Sequence, residues 1–470
     1  MISLRDYQQQ AKDETYQAFS EKINRILLYM TMGSGKTRTS MAMVKEFLQA
    51  KLPVSYIVRR RELVKQVSKV MQGFDIDHGV NMANHYRFDP KKLVQVSSVD
   101  TLGARKIFPH HADNNTVVFI DEVQDATSNT YKEVISNYEH NKIIGLSGTP
   151  FRDNSMFERI VCPITPYELY ERGILVKERV YSHSCINADG VRSIKGDYVT
   201  SDLEKVSIDS KIVGNIVDTW IARAEGRKTL LFAVSVNHSK IMCEEFLSRG
   251  IRAIHIDAGS SETERAEAVE QLLKGEINVI CNVDIFSVGF DCPSISCVIL
   301  ARPTQSLIWH LQATARGLRS SDDKSDCIIL DHAGNYFRHG FILETRNATL
   351  DKPEKKQSKD DEPKLRTCKQ CFYIFSAEFQ QCPECGFINP PIVRKIKTED
   401  GLLVEMTMTE EQVEEIRKKA FLSDYYKLDH VAKIRKFHHN WTYQQLLKKH
   451  GKEKCLKYGA RIHFPQEMLK

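Results

Sequence analysis

Four groups of residues in this chain have the types and spacing to do chemistry. The first is Gly33-Ser34-Gly35-Lys36-Thr37, inside the octet Met30 to Thr37. An apolar run, Ile26-Leu27-Leu28-Tyr29, precedes it, and Met41, Val44 and Leu48 follow at helical spacing. A strand, a glycine loop and a helix N-terminus together form a cradle of backbone N–H groups that faces an anion. Gly33 and Gly35 let the loop wrap closely, Lys36 would reach the β- and γ-phosphates of a nucleotide, and the Thr37 hydroxyl would bind Mg²⁺. The second group is Asp121-Glu122, directly after the apolar run Val117 to Ile120. One acid at a strand end can hold Mg²⁺ and its neighbour can activate a water. The third is Arg316 and Arg319, three apart on one face of an expected helix, suited to neutralising charge that develops on a γ-phosphate. The fourth is Cys368-x2-Cys371-x10-Cys382-x2-Cys385. That spacing suits four thiolates around one structural Zn²⁺, with Gly386 in the tight turn that follows.

These groups need elements to hold them. In residues 1–160, apolar runs at Val54 to Val58, Val94 to Val99, Val117 to Ile120 and Lys142 to Leu146 alternate with amphipathic stretches such as Glu62 to Met71. That alternation predicts a mostly parallel sheet covered by helices, with ligands beyond the carboxyl ends of the strands. Residues 161–345 repeat it. Thr229 to Ala233, Ala253 to Ile256, Val279 to Asn282, Cys297 to Ala301 and Cys327 to Leu330 read as strands. Asn237 to Ser248, Thr263 to Lys274 and Ser306 to Leu318 read as helices. This second half has no phosphate loop, so a nucleotide site is expected between the halves. Residues 346–366 read as a charged linker, because Asp351 to Arg366 has eleven charged residues in sixteen and a single aliphatic. Residues 367–391 hold the cysteine set and 392–470 a basic C-terminal domain. From Val431 to Arg461 there are nine lysines or arginines, Lys448 and Lys449 among them, against one acid. Phe437, Trp441, Tyr443 and Tyr458 are interleaved with them. Basic groups there can bind phosphates while rings such as Trp441 stack on bases. A small helical domain with the aromatics as its core is the equal alternative.

Composition sets the outer limits. The 470 residues carry a net charge of +6 and 41% hydrophobic residues, a mildly basic chain with ordinary globular cores. The N-terminal residues are polar, without a signal-peptide core, and no apolar run approaches the ~20 residues that span a bilayer. A soluble, cytoplasmic protein without a membrane partner is expected, in bacterial or phage-infected cytoplasm. The remaining eight of the twelve cysteines are scattered in mostly apolar stretches and read as small buried hydrophobes.

Taken jointly, the motifs resemble those of superfamily 2 helicases of the DEAD/DEAH-related group. Arg5 and Gln8 match that family's adenine-reading motif, and the Gln8 amide can pair with N6 and N7 of adenine. Met30 to Thr37 matches motif I, with Met30 at the usual first glycine and Met32 where relatives usually carry threonine. Asp121 to Gln124 matches motif II, and Ser147-Gly148-Thr149-Pro150 matches the coupling motif III. Ser287 to Asp291 matches motif V, with Gly289 and Asp291 at the nucleotide. Gln312 to Arg319 matches motif VI, with Ala315 for the usual glycine. Arg59, Arg60, Arg61, Ser98 and Thr101 fall where the family contacts a nucleic-acid backbone.

The resemblance implies two tandem RecA-like doubly wound α/β domains, followed by a small zinc ribbon and a small, mostly helical basic domain. This order of parts resembles RadD-type repair helicases and the helicases of T5-like bacteriophages. It implies ATP, Mg²⁺ and Zn²⁺ as cofactors, and single-stranded, forked or branched DNA as partner, with replication or recombination proteins as further candidates. The implied activity is an ATP-dependent helicase or translocase that unwinds or branch-migrates DNA in replication, recombination or repair. A duplex remodeller that does not separate strands, an RNA helicase, and a DNA-binding adaptor with a decayed ATP site remain alternatives.

Overall fold

The apolar runs of the first half are continuous rather than alternating because both faces of their sheet are covered. A computed structural model describes residues 2–59, 61–82, 85–110, 112–125, 129–182, 186, 188, 191–194, 196–208, 210–286, 292–351, 365–367, 374–376, 380–381, 386–388, 405–406, 409–435 and 440–458. The first strands are β1 (Arg25–Tyr29), β2 (Val54–Val58), β3 (Gly79–Val80), β4 (Val94–Ser98), β5 (Val117–Asp121), β6 (Lys142–Ser147) and β7 (Arg159–Val161). They form one sheet in the order β3-β4-β2-β5-β6-β1-β7, parallel throughout. Leu27, Ile57, Ile120 and Ile143 meet Leu102, Tyr131 and Tyr138 in its core. One expectation shifts here. Val99 opens the helix Val99–Arg105 instead of ending a strand, because the Ser98 hydroxyl accepts the Thr101 N–H as an N-cap.

A connector containing the helix Pro166–Glu171 leads to the second half. There the strands are β8 (Lys177–Ser182), a hairpin of β9 (Ser193–Ile194) and β10 (Asp197–Tyr198), then β11 (Thr229–Phe232), β12 (Ala253–Ile256), β13 (Val279–Asn282), β14 (Cys297–Leu300) and β15 (Asp326–Asp331). Farther on come an antiparallel pair, β16 (Leu365–Thr367) with β17 (Ile374–Ser376), and β18 (Glu405–Met406). The second sheet runs β12-β13-β11-β14-β15-β8-β18, with only β18 antiparallel to its neighbour. Trp220, Phe246, Leu231 and Ile299 lie in its core, together with Cys243, Cys281 and Cys297. The described scattered cysteines are free, and all but the half-buried Cys162 are buried. Past the second sheet the chain touches the first half again. The Asn154 amide donates to the Thr349 carbonyl at 2.8 Å, and Leu350 rests on the first core.

The molecule divides into two units, residues 1–342 with 347–406, and residues 343–346 with 407–470. The second unit is built on helices Glu410–Arg435 and Trp441–Tyr458. Phe421, Tyr443, Leu446, Cys455 and Tyr458 form its core. Tyr443 and Tyr458 are therefore core residues and not base-stacking rings, which decides for those two in favour of the helical-domain alternative. Asp424 in this unit accepts from His450 at 2.8 Å and pairs with Lys449 at 3.0 Å. Among the described residues no helix is long and apolar enough to cross a membrane.

Candidate active site

The loop after β1 is held from beneath. Met30 is fully buried, and its N–H bonds the Ser147 carbonyl at 3.0 Å, extending the pairing of β1 with β6. The Ser34 hydroxyl turns inward to the Thr31 carbonyl at 2.6 Å. Its own carbonyl accepts from Tyr7 at 3.0 Å and from the Gln8 amide at 2.8 Å. The helix Lys36–Gln49 then starts from Gly35, which is in the left-handed region at φ 85° and offers no side-chain cap. A Cβ at Gly35 would collide with the Gln8 amide, so glycine is needed twice over.

The acids sit at the end of β5. Asp121 is its last residue, and Glu122 follows at φ 51° with its N–H on the Asp121 carboxylate at 3.0 Å. That turn swings both carboxylates toward Lys36. Its ammonium lies 3.0 Å from Asp121 and 2.5 Å from Glu122. Burial opposes the charge of all three groups, and the outcomes differ. Asp121 is pushed above the usual carboxylate range by burial and by Glu122 beside it. Glu122 falls below that range, because Lys36, the Gln124 amide and the Arg316 charge outweigh burial. Lys36 rises above an ordinary lysine, because the two carboxylates outweigh burial.

From Glu122 a chain of hydrogen bonds leads into the sheet. The Gln124 amide N–H donates to Glu122, and its carbonyl accepts from the Ser147 hydroxyl at 2.6 Å. The Ser147 oxygen in turn accepts the Thr149 N–H at 3.1 Å. Gln124, Ser147 and Thr149 are buried, so the relay is shielded from water.

The second half closes the site. A cavity of about 530 Å³ is lined by Gly33, Gly35, Lys36, Thr37, Asp121 and Glu122 from the first half, and by Gln312, Arg316 and Arg319 from the second. Gln312 and Arg316 lie on the helix Leu307–Leu318, capped by the Ser306 hydroxyl. Arg319 corrects the sequence reading. It is the first residue past the helix, extended at φ −65° and ψ 137°, and does not share a helical face with Arg316. The backbone there bonds the connector instead, Val176 N–H to Leu318 at 2.8 Å and Ser320 N–H to Ile174 at 3.1 Å.

Other expected site residues are placed differently. Neither Arg5 nor Gln8 lines the cavity. Gln8 is buried under the loop, with its carbonyl accepting the Arg5 N–H at 3.0 Å. The Ser98 and Thr101 hydroxyls bond each other at 2.9 Å at a helix start. Arg59 is exposed just before the helix Arg61–Gly73, and Arg60 lies outside the described residues. Lys448 is exposed, Lys449 is engaged with Asp424, and Trp441 is half-buried at the start of its helix. Gly289 and Asp291, like Cys368, Cys371, Cys382 and Cys385, lie outside the described residues. Among the described residues no cluster of His, Cys, Asp or Glu has metal-holding geometry. Residues not foreseen in the cavity are Arg38, Leu63, Gln66, Val67, Val70 and Phe74. The apolar four lie on or just past Arg61–Gly73, where the i, i+4 and i+7 spacing of Leu63, Val67 and Val70 was the available signal. Arg38 stacks 5.8 Å from the Phe74 ring centroid.

Two protein families match this chain. Residues 1–152 match the family described as type III restriction enzyme, res subunit, and residues 211–321 match the helicase conserved C-terminal domain. A 51.5 kDa protein of a Lactococcus phage (isolate 7-9) is 28% identical over 414 residues, 86% of this chain and 87% of that protein. The IRC3 protein of Saccharomyces cerevisiae, whose name assigns it to the ATP-dependent helicases, is 26% identical over 358 residues. That match covers 70% of this chain and 51% of the yeast protein, so the chain spans about half the length of that relative. Among solved structures, the ATP-dependent type ISP restriction-modification enzyme LlaBIII bound to DNA has the same fold. Its TM-score is 0.53 at 19% identity, over 70% of this chain and 27% of that one. The chain thus has two RecA-like halves, the first similar to the restriction-enzyme res subunit and the second to the helicase C-terminal domain, and these similarities support an ATP-dependent helicase.

Proposed function

We propose that the chain is an ATP-driven DNA motor that unwinds or branch-migrates forked or branched DNA. The observation that carries the reading is the single cavity in which Lys36 meets Asp121 and Glu122 while Gln312, Arg316 and Arg319 enter from the other half. The triphosphate would sit on the amides of the Gly33 to Thr37 loop, with Lys36 on its β/γ end. The Thr37 hydroxyl and the Asp121 carboxylate are a hard oxygen set at the mouth of that cradle and fit Mg²⁺, which would neutralise phosphate charge. Glu122, held ionised, accepts a proton as the water oxygen bonds the γ-phosphorus and the bond to the β-phosphate oxygen breaks. Arg316 and Arg319 offset the charge that develops on the γ-phosphoryl oxygens. The relay from Glu122 through Gln124 to Ser147 and Thr149 supports a route from this chemistry into the sheet.

Forked or branched DNA as substrate rests on the order of parts, motor then cysteine set then basic tail, which resembles RadD-type helicases. The solved relative of like fold holds DNA, which favours DNA over RNA. The four cysteines from Cys368 to Cys385 have the spacing of a structural Zn²⁺ site.

The decisive experiment measures ATP turnover with single-stranded DNA, forked DNA, four-way junctions and RNA, alongside unwinding of each duplex substrate. Forked DNA or junctions should stimulate most. Glu122→Gln should bind ATP normally and lose about a hundredfold or more in turnover. Undiminished hydrolysis in that variant would remove Glu122 from the mechanism.

A further inference from the structure

The connector between the two sheets touches both sides of the catalytic cavity without lining it. Its helix Pro166–Glu171 is fixed by a capping box between Thr165 and Glu168. Arg172 bonds both oxygens of Asp6 at 2.7 Å and lies 5.6 Å from the Tyr7 ring centroid. Tyr7 in turn donates to the Ser34 carbonyl. Next, Ile174 and Val176 bond the backbone on either side of Arg319, and Leu175 stands opposite Arg319 in a single antiparallel bridge. The Leu175 side chain is 3% exposed and fills the open face of Gly33, where a Cβ would come within 2.7 Å of its Cδ2 methyl. Leu175 is absent from the cavity lining, so it meets the loop from outside.

We infer that Leu175 is a positioning residue, setting where Arg319 stands relative to the phosphate loop through a buried contact with Gly33 when the two halves meet. The inference rests on reading the cavity as the nucleotide site. The physical basis is steric. Arg319 sits in an extended segment just past its helix, and the backbone bonds of its neighbours Leu318 and Ser320 go to the residues flanking Leu175. Gly33, at φ 85°, has no side chain to hold the loop against the connector, so the Leu175 methyl spaces the two there, beside the Arg172–Tyr7–Ser34 contacts. Displacing a charge-stabilising group by a fraction of its contact distance lowers the rate of the chemical step far more than it weakens substrate binding.

The test is a double-mutant cycle in the full chain, with ATP turnover as readout. Leu175→Ala should lower kcat by about ten- to a hundredfold while KM for ATP changes by less than about twofold. In an Arg319→Ala background the same substitution should cost almost nothing further, because the residue it positions is gone. Leu175→Met, which keeps a methyl near Gly33, should restore kcat to within about threefold. Fluorescent-nucleotide binding and the thermal midpoint of each variant report whether the site and fold persist. A rise in KM with kcat unchanged, or losses that multiply in the Arg319→Ala background, overturns the inference. If Leu175→Ala fails to fold, Leu175→Met and Leu175→Val carry the test, and equal kcat in both overturns it. A wild-type chain with no turnover on any nucleic acid instead overturns the nucleotide reading, and the inference with it.

Discussion

The helix that begins at Lys36 and three helices of the second half start in opposite ways. Ser235, Ser261 and Ser306 each cap their helix with a hydroxyl that accepts a first-turn N–H, from His238, Glu264 and Trp309. Those helix starts are satisfied from within the protein. Gly35 brings no side chain to the start of Lys36–Gln49, so the amides of that first turn are offered to an anion, as at other helix N-termini that hold phosphate. Both halves are built on a largely parallel sheet, and these four helices differ in the residue type at their start. The first half contributes amides, an ammonium and two carboxylates. The second contributes guanidinium groups, and the helix that carries Arg316 starts from a closed hydroxyl cap.

The largest effect that separates the halves is expected at Arg316. Arg316→Ala should lower single-turnover ATP hydrolysis by about a thousandfold with nucleotide binding retained. A loss under about tenfold would mean that the second half adds shape but no charge to the reaction. A smaller effect is expected where the first half passes its state onward. Gln124→Ala breaks the bond between Glu122 and Ser147, and should lower stimulation by nucleic acid about tenfold with ATP binding intact. Equal stimulation in that variant would show the relay to be structural only. The smallest effect tests the caps themselves. Ser261→Ala should cost about 1 kcal/mol in a denaturant titration and leave ATP turnover unchanged. A change in turnover above about twofold would show that helix starts in the second half also serve the nucleotide.

Much of the first half was legible because its signals are local. Ile26 to Tyr29 and Val117 to Ile120 are strands in both readings, since a buried parallel strand is a short continuous apolar run. The turn into Lys36 is carried by the two glycines at positive φ. The arginine geometry was not legible, because Arg319 leaves its helix only when Ile174 and Val176, far earlier in the chain, bond the backbone around it. The Gln8 amide has the groups to pair with adenine, and in this structure it is drawn beneath the loop to the Ser34 carbonyl, a tertiary bond that no local pattern encodes. The tail aromatics show the same limit. Tyr443 and Tyr458 carry no sign in their spacing of whether they face solvent, and the burial of Phe421 against Tyr458 decides it.

The return of the chain to both sheets has a consequence for how much of the chain the two halves need. Thr349 and Leu350 touch the first half, and β18 completes an edge of the second half's sheet where it pairs with β8. A chain cut before Thr349 would therefore lose a contact from each half.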